Sequence, residues 1–207
     1  MNIQFEETVI VMDAVYVDKT TGDLIQYFSK VINRSLTTAD LSLMLEALAL
    51  DAGLRPSDKD EKKREIQTLL IYDEKQPIMK HIVPNDIAQK LNNVAFESNL
   101  GEFVLNTYHS SGMTRQPEYL LDALRLVADA QEVKRLIVVA DDAFISNNVL
   151  PLLNEVEGKE SITLFSMNPS SADNGVKWEM LGFSILRALG IRSENYKKNH
   201  QITGINS

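Results

Sequence analysis

Three aspartates stand where apolar runs give way to polar residues. Asp13 follows TVIVM, and the adjacent pair Asp141 and Asp142 follows RLIVVA, in the stretch RLIVVADDAF from Arg135 to Phe144. In an open parallel sheet the functional groups gather just past the carboxyl ends of the strands, so acids at strand ends share one side and converge if their strands are neighbours. Clustered carboxylates repel and raise one another's pKa unless a cation neutralises them. Their hard oxygens suit Mg²⁺ or Mn²⁺, which bind through one or two carboxylates plus waters and substrate phosphates. Such an ion activates water and stabilises the transition state of phosphoryl transfer. The plain alternative is that each acid caps the next helix or stays solvated, and for Asp18 and Asp73 that alternative is the stronger one.

Other chemistries find less support. With no cysteine, the chain has no disulfides, thiolate nucleophile or thiolate metal site. It lacks GxGxxG after the first strand, GxxxxGK[ST] and GxSxG. The paired acids of haloacid-dehalogenase-type phosphatases would need a carboxylate at Val15. RLIVVADDAF is similar to the acidic opening of a receiver domain, but too little chain follows it to supply the remaining strands of that fold. The histidines His81, His109 and His200 are far apart in sequence. His109, followed by Ser110-Ser111-Gly112, and the loop Ser166-Met167-Asn168-Pro169-Ser170-Ser171 would be the natural contacts of a small molecule or nucleotide at the same rim.

The elements that would position these groups can be read from periodicity and turn chemistry. Thr8–Val17 is almost continuously apolar, as in a parallel strand covered on both faces. A mid-strand charge is costly to bury, so the strand is expected to end near Met12 or Asp13. A turn at Thr20-Thr21-Gly22 and an N-cap at Asp23 predict a helix over residues 24–34. A second helix is expected from Thr37 or Thr38 to a stop at Gly53, then a mixed-charge loop or short exposed helix over Arg55–Arg64. Strands are predicted at Gln67–Tyr72, Gly101–Tyr108, Arg135–Asp142 and Ser161–Ser166, with an ambiguous rim segment at Pro77–Val83. Helices are predicted from Pro84 through DIAQKLNNVAF, over EYLLDALRLVADA, over Asn148–Glu157, and over Val176–Leu189.

Strands alternating with helices imply a three-layer α/β/α sandwich with a mostly parallel, Rossmann-like central sheet, joined by right-handed crossovers. The 207 residues suffice for one core, read as a single domain over residues 1–190 with a polar tail over 191–207. A hydrophobic fraction of 44% with 24% charged residues is ordinary for a globular protein. The net charge of −8 removes any broad electrostatic footprint for nucleic acid, while leaving room for a local basic groove. No stretch approaches the roughly 20 apolar residues of a membrane span, and the N-terminus lacks the basic region of a signal peptide. The expectation is a cytoplasmic protein with no membrane partner, and one in which homo-oligomers are compatible with the sequence.

The Asp13 strand, the EYLLDAL helix and the RLIVVADDAF strand occur in an order that resembles the NYN branch of the PIN-like nucleases over most of Thr8–Ser166. In that family a first strand ends in Asp, a later acid begins a helix, and a strand ends in an SGDSDF-like motif. The resemblance implies that Asp13 is the first-strand acid. It places Glu118, after Arg115, near the helix-start acid, and Asp142, or less closely Asp141, in the late motif. It further implies Mg²⁺- or Mn²⁺-dependent hydrolysis of RNA phosphodiesters, with Asp13 and Asp142 as metal ligands and Asp141 and Glu118 assisting. Tyr16 replaces the family's asparagine three residues after the first Asp. Ala140-Asp141 replaces Ser-Gly, and the second late acid gives way to Ala143-Phe144. Those replacements carry the alternative expectation, a non-catalytic scaffold or oligomerisation module of the same fold.

Overall fold

Alternate residues of the apolar runs part to opposite faces of one sheet, as the two-residue period of a strand requires. Ile10, Met12, Ile137 and Val139 enter one core, while Val9, Val11, Leu136 and Val138 enter the other. The structure, a computed structural model, describes residues 4–56, 64–110, 116–169 and 176–191. Its strands are β1 (Thr8–Asp13), β2 (Ala39–Asp40), β3 (Glu65–Asp73), β4 (Ile82–Val83), β5 (Val94–Ser98), β6 (Gly101–Ser110), β7 (Arg135–Val139), β8 (Ser161–Ser166) and β9 (Lys177–Met180). The main sheet has the order β5-β6-β3-β1-β7-β8-β9, parallel except for β5, and β2 pairs with β4 separately.

Helices α1 (Ala14–Val31), α2 (Leu41–Asp51) and α7 (Leu181–Ala188) cover the face carrying Ile10 and Met12. On the other face lie α4 (Gln116–Asp129), and α5 (Asp142–Phe144) and α6 (Leu150–Leu153) with the π-helical segment Ile145–Val149 between them. The protein is therefore a three-layer α/β/α sandwich with a mostly parallel sheet. The one-turn helix α3 (Ile87–Lys90) lies in the connection from β3 to β5. Among the described residues no helix is long and apolar enough to cross a membrane.

Several boundaries differ from those expected. Thr20-Thr21-Gly22 is not a turn but the middle of α1, which starts ten residues earlier than Leu24, at Ala14. Asp13 makes this possible by accepting the Tyr16 amide at 3.0 Å, an N-cap that satisfies a helix donor otherwise left open. Thr21 then bonds back to the Val17 carbonyl at 2.7 Å and is fully buried. The predicted helix after Pro84 shrinks to the single turn α3, capped by Asp86. Val94–Ser98 instead forms the antiparallel edge strand β5, where Phe96 stacks on Phe103 with ring centroids 4.8 Å apart.

The helix after β7 begins at Asp142 rather than Asn148 and ends at Leu153. Pro151 has no N–H for the Asn147 carbonyl, and its ring would crowd that oxygen. The chain widens there: the Leu150 amide reaches five residues back to the Ile145 carbonyl. Lys177–Met180 leaves the expected helix to extend the sheet beside β8, pairing Thr163 with Lys177 through Ser166 with Met180. Four residues are too few to show either period, and here the open edge of β8 decides for the strand. The Arg55–Arg64 segment lies largely outside the described residues, as does the tail from residue 192.

Candidate functional site

The parallel strands run outward in both directions from the β1–β7 pair. After β1 the chain passes over one face to β3, and after β7 it passes over the other face to β8. At such a reversal point open α/β sheets bind ligands in the crevice past the carboxyl ends of the strands. Residues Thr8 to Met12 pair with Arg135 to Val139, so Asp13 and the Asp141-Asp142 pair leave adjacent strands on the same side.

Each acid has local work. Asp13 is buried, at 8% exposure, and caps α1. Asp141 is exposed and caps α5, accepting from the amides of Ala143 at 3.0 Å and Phe144 at 3.4 Å. Asp142 is half-buried and braces the loop after β8. Its Oδ1 accepts the Asn168 amide at 3.0 Å, and its Oδ2 accepts Asn168 Nδ2 at 3.1 Å. Asp142 is thus the more inward member of the pair.

Tyr16 completes the site, and sequence reasoning marks it only as a departure from a family pattern. From the first turn of α1 its ring reaches the ends of β7 and β8, and its hydroxyl is buried. The Thr20 side chain and the Met167 backbone lie near enough to ease its ionisation, yet neither meets hydrogen-bond geometry with the hydroxyl. Burial first, and then the negative charge of Asp142 and more weakly of Asp141, push the phenol up to about 12. The hydroxyl of Ser166, at the end of β8, is also buried without a partner.

Because the folded state holds the Tyr16 proton to higher pH than an unfolded chain does, stability falls as pH rises from about 10 towards about 12. Tyr16→Phe is expected to flatten that decline, measured as urea midpoints at pH 9 and pH 11. An unchanged slope would show that the ring does not sit among the acids. The decline is not expected to vanish, since burial also raises the phenols of Tyr72 and Tyr108.

Of the remaining expected site residues, Glu118 is exposed in the first turn of α4, on the same edge of the sheet. His109 is not part of the crevice. It lies on β6, two strands from β1, with its ring 5.6 Å from that of Tyr72. Within the loop after β8, Asn168 does join the site through Asp142, while Ser170 and Ser171 fall outside the described residues. Asp18 and Asp73 have structural roles. Asp18 accepts the amides of Lys80 at 3.0 Å and His81 at 2.8 Å, and Asp73 accepts that of Lys75 at 2.9 Å.

Residues 2–196 match a family of unknown function, DUF6621. The chain belongs to that family. No curated protein and no solved structure matches the chain. For this DUF6621 member, chemical meaning comes from the crevice: two carboxylates on adjacent strand ends, a third beside them, and an orphaned phenol. Among the described residues no three His, Asp or Glu side chains are grouped as a ready-made metal cage. Any hard cation here would keep much of its water or share a substrate's oxygens, the habit of Mg²⁺.

Proposed function

We propose that this protein is a divalent-cation-dependent phosphodiester hydrolase of the ribonuclease kind, acting on RNA at the β1–β7 crevice. One observation carries the reading: Asp13 and Asp142 emerge from neighbouring parallel strands at the reversal point of the sheet. The donor set fits Mg²⁺ or Mn²⁺, because carboxylate oxygens are the hard ligands these ions prefer. Asp13 and Asp142 are the ligands. Asp141 fixes the start of α5 and adds negative potential, and Glu118 stands at the rim to orient water or substrate. When bound, the ion polarises a water and offsets charge on the phosphate in flight. The chain's own contribution is to hold two carboxylates on rigid strand ends. A cytoplasmic location goes with this reading.

The test is cleavage of a single-stranded RNA oligonucleotide with Mg²⁺ or Mn²⁺ and with chelator. Products that appear only with metal support the reading, and their absence under all conditions overturns it.

A second reading, a non-catalytic scaffold or oligomerisation module of the same fold, is favoured by a specific observation. Asp13, Asp141 and Asp142 all accept hydrogen bonds that stabilise local structure. Capping and bracing alone would then account for the three acids. Under that reading the acid-to-amide variants change stability only, and metal leaves the melting temperature unmoved.

A further inference from the structure

We infer that the cavity between the start of α1 and the segment Lys75–Ile87 is a binding site for a phosphate ester of nucleotide size, separate from the acidic crevice. The cavity holds ≈ 590 Å³, within the roughly 300–1,000 Å³ usual for small-molecule sites. Its apolar surface comes from Ala14, Val15, Ile78, Met79 and Ile87, and its rim carries Lys19, Lys75 and Lys80. In a chain with 29 acidic against 21 basic residues, this concentration of cations runs against the composition. Among the described residues none of these three ammonium groups is paired with a carboxylate.

The one carboxylate in the lining, Asp18, is already engaged by the Lys80 and His81 amides. That pairing latches the segment to α1. His81 adds to the latch by lying flat against Gly22, where a Cβ would meet ring atoms at 2.6–2.9 Å. The walls are therefore preformed, which lowers the ordering cost of binding. Three unpaired cations beside an apolar floor match a ligand with a ring or apolar body and two or more phosphate charges.

Calorimetric titration of ADP into the full chain in chelator-containing buffer tests the assignment. Saturable binding at one site is expected. Charge reversal at Lys75→Glu with Lys80→Glu should weaken it about tenfold or more, equivalent to at least ~1.4 kcal/mol. Asp142→Asn should leave it unchanged, so that failure here and failure of the hydrolase reading are separate results. Both lysines are exposed, and thermal melts verify folding. If the reversed protein melts early, Lys75→Gln with Lys80→Gln takes its place. The assignment is overturned by no ADP binding, by equal affinity in the lysine variants, or by loss of binding in Asp142→Asn. Inorganic phosphate competing as well as ADP would also overturn it, because the apolar floor would then contribute nothing.

Discussion

Asp142→Asn is expected to fold and to lose metal-dependent RNA cleavage by about 10²-fold or more, a change of at least ~3 kcal/mol in the barrier. Folding survives because the amide keeps one oxygen for the Asn168 N–H, now accepted at 3.0 Å. The other oxygen becomes an NH₂ group facing Asn168 Nδ2, so the Asn168 amide must flip or one bond is lost, at a cost of about 1 kcal/mol. Activity does not survive, because the variant removes the charge that would hold the cation. Asp141→Ala should show the opposite pattern. It removes an N-cap and destabilises by ~1 kcal/mol, yet leaves most of the cleavage intact. Parallel melting and cleavage assays on the two variants separate the roles. Cleavage that persists in Asp142→Asn would remove Asp142 from the site.

Gly101→Ala is expected to be the most destabilising single exchange in the sheet. Gly101 has φ +140, a conformation that L side chains rarely adopt, and an added Cβ would lie 2.3 Å from the Arg64 carbonyl oxygen. That oxygen accepts the Glu102 amide at 2.9 Å, the bond that sets the start of the β3–β6 register. Neither backbone can yield without opening the ladder. A loss of ~3 kcal/mol or more is expected. With roughly 2–4 °C per kcal/mol for a chain of this size, the melting temperature should drop by about 6–12 °C. Gly53 is the control. Its φ is +101, but nothing lies within 4 Å of an added Cβ, so Gly53→Ala carries backbone strain alone, ~1 kcal/mol. Equal shifts for the two variants would contradict the close approach of β6 to Arg64.

Much of the sheet was legible because buried parallel strands write themselves as unbroken Val, Ile and Leu runs. The ends of β1, β3 and β8 follow from where those runs meet acids or turns. The helices were less legible, for identifiable reasons. Thr20-Thr21-Gly22 has turn composition, yet Thr21 is buried and Gly22 lies under His81. Tertiary packing overrides the local signal there. Within Val176–Leu189, the four residues Lys177–Met180 are too few to separate strand from helix, and only the free edge of β8 resolves them. At the site, Asp13, Asp141 and Asp142 could be placed by their positions at strand ends. Tyr16 could not, because a tyrosine in an apolar run carries no mark of function until its hydroxyl is found buried beside two acids. The lysine-rimmed cavity was hidden for a different reason. Lys19 and Lys75 are far apart in sequence and line one cavity only in the folded chain.

Direct cation binding tests the central claim most closely. Mn²⁺ titrated into the protein and followed by the paramagnetic signal of the free ion should show one saturable site. Loss of that site in both Asp13→Asn and Asp142→Asn, each still folded by its melting curve, is the predicted result. Mn²⁺ binding with the same affinity in either variant, or no binding by the unaltered protein, would contradict the account.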